Sequence, residues 1–514
     1  MKKLYLLFIL ATSVINSQNF EWLQTPPISF SMNPDMIAYS TACDPGGNVY
    51  LTGFKDGAYP YTDILGNLYF NKYSSNGSLL FSKTISGKAF AYNMISDSDG
   101  SIIIALGFLD TITLDDITLT ETDQNMRYVL VKFDSAGNRL WHKVLALPVN
   151  GMDLVSNLRA LATDTENNVY AGYDNFSTGR IVKYSPAGIE LQTIEQLNVG
   201  RITSIDVDDV GNIYAAGSCA SSEMATFSGV VAPSGLQYNT YLVKYSPEGI
   251  YQWVKFVDDV TCSEAHVVAY SEDAIYYSSY LYGDYMFDTI QAEGPVQSAA
   301  DFFLVKLNGN GQYQWVREVP GTGSLGPGRC NFLNVDVSGN IYLSGFTDGA
   351  INWGNGVQTP GGVRKSVLLK YNPEGNAVSA VTAAGGYGRA DSVALNTSGD
   401  AFIAGMGFDH GMFGTIEYDS PQDEYYTYLT KITATSLGVA EQQIGKMTLY
   451  PNPAADHFYV SGNVEAKGSI INMLGQKIMD MRVKPNVPVS ISGLPKGTYF
   501  VLLEGYGTKK LIIQ

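Results

Sequence analysis

Charge is scarce in this chain: Asp, Glu, Lys and Arg make up 16% of its 514 residues, against roughly 25% in an average soluble protein. That shortage argues against a molecule built from solvated surface helices. Basic residues are scarcer still, 32 against 49 acids, for a net charge of −17. Nucleic-acid and anionic-membrane partners are therefore not expected, since both are held through clustered Lys and Arg. Histidines number four: His142 falls on an expected strand, His457 near the C-terminus, and His266 and His410 in or beside long connections. No Gly-x-Ser-x-Gly elbow surrounds any serine, so a His-based hydrolytic triad has no support and no catalytic residue is assigned. The four cysteines (Cys43, Cys219, Cys262, Cys330) include no Cys-x-x-Cys pair, so a zinc site is not expected either. They read as structural disulfides or buried thiols; four cysteines allow three pairings, and sequence does not choose among them.

Long apolar runs are also missing. Lys2, Lys3 and the short run from Leu4 to about Ile15 have the layout of a secretory signal peptide, with cleavage near Ser17. No later segment approaches the ~20 apolar residues of a spanning helix, so no transmembrane segment is expected.

What the chain has in quantity is Gly (53) and Tyr (35), the composition of turns and strands. Two short patterns recur in alternation. The first runs DPGGNVYLTG from Asp44, DDVGNIYAAG from Asp208 and DVSGNIYLSG from Asp336, with looser copies from Asp97, Asp164, Ser271 and Asn396. The second is an apolar run, a Lys, an aromatic and a turn, clearest in LVKYSPEGIYQW ending at Trp253. Its lysines are Lys72, Lys132, Lys183, Lys244, Lys306, Lys370 and Lys431, spaced 60, 51, 61, 62, 64 and 61 residues apart.

Each pattern has hairpin chemistry. Ser246-Pro247-Glu248-Gly249 and Asp44-Pro45-Gly46-Gly47 carry an acceptor at i, Pro at i+1 and Gly at i+3, as a type I turn demands. One repeat is then four strands, A to D, with tight A–B and C–D turns and longer B–C and D–A connections. Radial repetition of such units makes a β-propeller. The seventh copy lacks a D strand after Lys431, and Phe20-Glu21-Trp22 resembles the missing one. An all-β, seven-bladed propeller closed by its N-terminal strand follows as the expected fold, spanning residues 18–433 after a signal peptide at 1–17. Closure removes two sheet edges that would otherwise invite aggregation. The pairing of D-x-x-G-N-x-Y with L-V-K-Y-S-x-x-G resembles the bacterial SBBP-type propeller repeat family, which implies extracellular use but no single activity.

After a linker at 434–446 the character changes. Residues 447–514 hold seven Lys/Arg against four Asp/Glu and several short strands between Gly, Pro and Asn turns, the pattern of a small β-sandwich, expected to be Ig-like. Tyr450-Pro451-Asn452-Pro453, Leu474-Gly475-Gln476, Lys496-Gly497-Thr498-Tyr499 and Lys510-Leu511-Ile512-Ile513 closely resemble the type A C-terminal sorting domain of the Bacteroidota type IX secretion system. The resemblance implies recognition by the outer-membrane export machinery through Tyr450, Pro451, Asn452, Pro453, Gly475, Gly497, Thr498, Tyr499 and Lys510. It also implies passage through the periplasm to the exterior or the outer-membrane surface.

Ligand contacts are expected on the loop face, where B–C connections mix aromatics with acids. Tyr59, Tyr61 and Asp63, Tyr282, Asp284 and Tyr285, and Asp423, Tyr425 and Tyr426 are the candidates, because a tyrosine offers a broad ring with a polar tip. An extracellular glycan or protein is the expected partner. A polysaccharide-active enzyme using paired carboxylates and a structural surface-layer component are the alternatives. No cofactor is assigned; Asp97-Ser98-Asp99-Gly100 and Asp206-Val207-Asp208-Asp209 hint at calcium, but neither continues into a twelve-residue calcium loop, and turn-capping explains both.

Overall fold

The computed structural model describes residues 20–27, 39–56, 65–149, 152–153, 155–219, 224–232, 239–258, 265–281, 283–293, 301–420, 424–434, 449–460, 466–472, 476–485, 487–503 and 507–514. Two compact units result, Met1–Leu437 and Gly438–Gln514. Among the described residues all regular structure is β, and no helix is long and apolar enough to cross a membrane.

The first unit is a β-propeller. Its third repeat shows the plan: Asn157–Thr163, Val169–Asp174, Thr178–Tyr184 and Glu190–Leu197 form an antiparallel meander in chain order. Arg201–Val207, Ile213–Cys219, Asn239–Tyr245 and Tyr251–Val257 repeat it. The 18-residue strand Leu79–Ser96 serves two repeats, pairing with Gly66–Tyr73 as a D strand and with Ile102–Leu114 as an A strand. B strands such as Val49–Phe54 are buried at every position, because each sheet is covered on both faces by its neighbours and so has no polar side.

The A strands line an axial channel and follow one another around a closed circuit, from Thr41–Cys43 through Leu79–Ser96, Asn157–Thr163, Arg201–Val207, His266–Ser271 and Leu333–Val335 to Gly388–Leu395 and back. The join is bonded: Thr41 N–H donates to Ser392 Oγ at 3.1 Å, and Ser392 Oγ donates to the Tyr39 carbonyl at 2.8 Å. On the outside, Phe20–Gln24 pairs antiparallel with Tyr425–Ile432, Trp22 opposite Lys431.

The two sequence patterns prove to be partners. In the first repeat Asp44 accepts the Asn48 N–H at 2.8 Å and the Tyr50 hydroxyl at 3.2 Å, while Lys72 from the C strand lies 3.3 Å from the same carboxylate. Asp164 holds Asn168, Tyr170 and Lys183 in the same way. Asp97 and Asp208, the calcium suggestions, are occupied likewise: Asp97 takes the Ser101 N–H and faces Lys132 at 2.7 Å, and Asp208 takes Asn212 and Tyr214. Gly47 and Gly249 sit at positive φ after their turns, as does Asn167 at the same place in the third repeat, where a type I turn enters a bulge in a conformation that glycine and asparagine adopt most readily.

Neighbouring blades are latched by tryptophan. The Trp141 indole donates to the Pro186 carbonyl at 2.9 Å, Trp253 to Gly309 at 3.0 Å and Trp315 to Pro373 at 3.2 Å, each onto the next C–D turn. Trp22 makes the same bond to Ser75 at 3.1 Å, so the N-terminal strand behaves as an ordinary D strand.

The second unit packs Leu449–Tyr450, His457–Val460 and Val489–Ser490 as one sheet, and Lys477–Val483, Ala466–Asn472, Gly497–Leu503 and Gly507–Ile513 as another. Phe458, Ile470, Val501 and Leu511 form its core.

Candidate functional site

Repetition explains the rim of tight turns; the channel is where the repeats differ. In the sixth repeat the inner strand is broken. Ser324–Pro327 and Leu333–Val335 both pair with Ile341–Asp348, and the five residues Gly328–Phe332 between them oppose Ser344 alone. The Gly328 N–H donates to the Ser344 carbonyl at 2.9 Å and the Ser344 N–H to the Phe332 carbonyl at 2.8 Å, closing the neck of this bulge. Bulges of this kind re-aim side chains beside functional sites.

Across the channel the bulge meets the second and seventh repeats. Asn93 Nδ2 donates to Asn331 Oδ1 at 2.9 Å, bridging residues 238 apart in sequence, and Asn331 Nδ2 donates to the Met94 carbonyl at 3.1 Å. The Cys330 N–H donates to the Asp391 carbonyl at 2.9 Å, and the Val393 N–H to the Asn331 carbonyl at 2.8 Å. These bonds divide the channel. On the side of the A–B turns lies a cavity of about 260 Å³ whose lining includes Cys43, Ser96, Thr163, Asp206, His266 and Asn334. On the loop side the space narrows to a pit of about 10 Å³ between Tyr92, Arg159, His266, Arg329 and Cys330.

Electrostatics differ between the two. Burial pushes the Asp206 carboxyl up to about 7, opposed by N–H bonds from Ala269 and Val207. His266, expected in or beside a long connection, instead begins an A strand, 5.3 Å from the Phe332 ring, and burial lowers its pKa to about 4. The pit is cationic. Burial and the Asp391 carboxylate raise the Cys330 thiol while Arg159, Arg389 and Arg329 pull the other way, so three guanidiniums and one carboxylate act at this one point. Arg389 is spent on a buried carboxylate, Nε to Asp391 Oδ1 at 2.5 Å. Arg159 lies over the Tyr92 face at 5.1 Å, and Tyr92 stacks on Tyr128 at 5.9 Å.

The loop-face candidates are placed unequally. Tyr59, Tyr61, Asp63, Tyr282 and Asp423 lie outside the described residues. Asp284 is exposed. Tyr285 donates to the Phe256 carbonyl at 2.9 Å and packs on Phe287, which is wholly buried. Tyr425 packs on Phe408 at 4.7 Å, and Tyr426 is buried against Tyr418. The B–C connections are in part hairpins, Tyr285–Phe287 with Ile290–Ala292 and His410–Phe413 with Ile416–Asp419, whose aromatics Phe287 and Phe413 turn inward. Apolar ring burial outweighs ring display here, since a large side chain gains about 1.5–3 kcal/mol on full burial. The second of these hairpins brings His410, Glu417 and Asp419 within 4.8 Å of one another, a set with metal-ligating atoms, all partly or fully exposed.

Cys43, Cys219 and Cys330 are free thiols, and Cys262 lies outside the described residues. In the C-terminal unit Asn452 ties its turn to the last strand, donating to the Lys510 carbonyl at 2.8 Å and accepting the Ile512 N–H at 2.8 Å. Tyr499 is buried with its hydroxyl on the Pro495 carbonyl at 2.9 Å; Tyr450, Pro451, Pro453, Gly497 and Lys510 are exposed, Thr498 is half-buried, and Gly475 lies outside the described residues.

Residues 448–514 match the family of secretion system C-terminal sorting domains. The chain thus carries an export domain of the type IX secretion system, which sends its cargo to the cell surface or exterior. No curated protein matches the chain. Among solved structures it is similar to a streptogramin B lyase, at 10% identity over 79% of this chain and 97% of that one, TM-score 0.41. It is similar also to the Dos1 propeller, at 7% identity over 80% and 95%, TM-score 0.38. A catalytically inactive virginiamycin B lyase from Staphylococcus aureus with quinupristin gives 10% identity over 80% and 99%, TM-score 0.39.

Proposed function

We propose that this chain is a surface-displayed binding protein of a Bacteroidota cell, in which a seven-bladed propeller of SBBP-type repeats engages an extracellular glycan or protein on its loop face. A signal peptide at 1–17 takes it to the periplasm. The Ig-like domain at 447–514 then engages the outer-membrane machinery through its exposed turn around Tyr450–Pro453 and its last strand. The observation that carries the binding reading is the Gly328–Phe332 bulge. It interrupts an inner strand and sets Arg329 at the loop-side mouth of the channel, beside Arg159 and Tyr92. Structural repeats need no such departure; a site does.

Two measurements test the two halves. Deleting residues 447–514 is expected to leave the protein in the periplasm, and normal surface display of the truncation defeats the export reading. The full-length chain on a glycan array, followed by product analysis, is expected to show retention without cleavage. Release of shortened glycan defeats the binding-only reading.

A further inference from the structure

The pit at the loop-side mouth has a property that no other place among the described residues shares: a buried cationic nitrogen without a hydrogen-bond partner. Acids outnumber bases by 49 to 32, and cations elsewhere are readily paired. Arg139 meets Asp116 at 2.7 Å, Arg127 meets Asp123 at 2.5 Å, Lys183 meets Asp164 at 3.0 Å, and Arg389 is held by Asp391. Arg159 is different. Its Nε is buried and makes no hydrogen bond among the described residues, and no described carboxylate forms an ion pair with it. Its guanidinium is held in place from below by the Tyr92 ring, itself stacked on Tyr128, and its backbone carbonyl is held by Asn93 Nδ2 at 2.8 Å. A buried guanidinium edge with no partner costs free energy, and in so acidic a protein a carboxylate could readily have been placed there.

Resting on the binding reading above, we infer that Arg159 and Arg329 form a receptor for one oxyanion group, a carboxylate or sulfate carried by an acidic extracellular polysaccharide. The pit admits about one water-sized group at a time, so a terminal anionic oxygen enters and the sugar ring stays outside. Guanidinium suits this task because it stays charged and its planar fork aims N–H donors at the entering anionic oxygen. Asn93 and Asn331 form the floor, and their mutual bond keeps the bulge in position. The acidic body excludes polyanions from most of the surface, so an anion bound here is recognised through this spot and not through a general positive field.

The test uses the full-length chain and three immobilised polymers: polygalacturonate, dextran sulfate and neutral dextran. Wild type is expected to retain one or both charged polymers and not the neutral one, and comparison of polygalacturonate with dextran sulfate tells carboxylate from sulfate. Arg159→Gln and Arg329→Gln should each weaken that binding by roughly tenfold or more, the loss expected for a hydrogen bond to a charged group. Arg159→Lys should fall between, since charge remains and the fork is lost. Arg139→Gln, an equal change of charge on an outer strand, should bind as wild type. If Arg159→Gln and Arg329→Gln bind as Arg139→Gln does, or if neutral dextran binds equally well, the oxyanion inference fails while the binding reading stands. If no polymer of either kind is retained, the oxyanion inference fails, and the binding reading is left with a protein partner only.

Discussion

The rim of tight turns and the loop-side mouth of the channel are built on opposite rules. At the rim one polar module recurs: an Asp takes the N–H of its own turn, an Asn, a Tyr hydroxyl and a Lys from the C strand. At the mouth nothing recurs. Among the described residues, one such bulge, one asparagine bridge and one buried guanidinium nitrogen without a hydrogen bond each occur in a single repeat. In a repeat protein, periodic polar groups serve the joints, and aperiodic ones mark where one repeat departs from the rest.

The comparison predicts that damage to the repeated scheme is measured in stability, and damage to the mouth in binding. The largest stability loss is expected at the ring's closure. Trp22→Ala removes a buried indole and its bond to Ser75, a loss of about 3–5 kcal/mol in a urea melt. Deleting Phe20–Gln24 should go further, leaving Tyr425–Ile432 as an open edge and producing oligomers in size-exclusion chromatography. A monomeric deletion variant with an unchanged melt would show that closure rests on the A strands alone.

Next comes the module itself. Lys132 and Asp97 are the most buried ion pair of the rim, 3% and 0% exposed, and they lie 2.7 Å apart without the alignment of a hydrogen bond. Asp97→Ala strands a buried ammonium and should cost about 3 kcal/mol. The mouth-side His266 supplies a smaller, pH-dependent effect. Its folded pKa of about 4 is below the roughly 6.5 of an unfolded chain. As pH falls, the unfolded state binds the proton first. The contribution is complete above pH 6.5 and lost progressively as pH falls through about 4, reaching at most about 3 kcal/mol. His266→Gln should flatten that part of the stability–pH curve; an unchanged slope would place the acid sensitivity elsewhere.

Local chemistry made the scaffold legible and tertiary chemistry hid the site. Turns such as Ser246–Gly249 announce themselves through residue types at fixed offsets, and the orphan strand at Trp22 is readable because every other copy has one. The link between Asp44 and Lys72 is harder to see, since two patterns 28 residues apart meet only when the A–B turn folds over the C strand. The bulge left a faint trace: Lys306 to Lys370 is the longest spacing, 64 residues, and Gly326-Pro327-Gly328 reads as a loop. Nothing local marks Arg159 as unpaired or Asn93 as the partner of Asn331. The aromatic B–C connections misdirected attention, because Tyr426 and Phe287 look alike in sequence whether they face solvent or fold inward, and here they fold inward.

The smallest expected effect is the most informative about the module. The fifth repeat has Ser271 where the others carry Asp or Asn, and among the described residues its Lys306 makes only a long bond of 3.4 Å to the Pro373 carbonyl and a contact 5.7 Å from the Tyr276 ring centre. Lys306→Met keeps most of the stem volume and removes only those weak polar terms, so it should cost about 1 kcal/mol or less. Lys132→Met should cost about three times that, because it leaves the Asp97 carboxylate buried without its cation. Equal losses at the two positions would mean that the recurring lysine is kept for its packed stem alone. The aspartate would then cap its own turn, and the ion pair between the two patterns would be a by-product of their meeting.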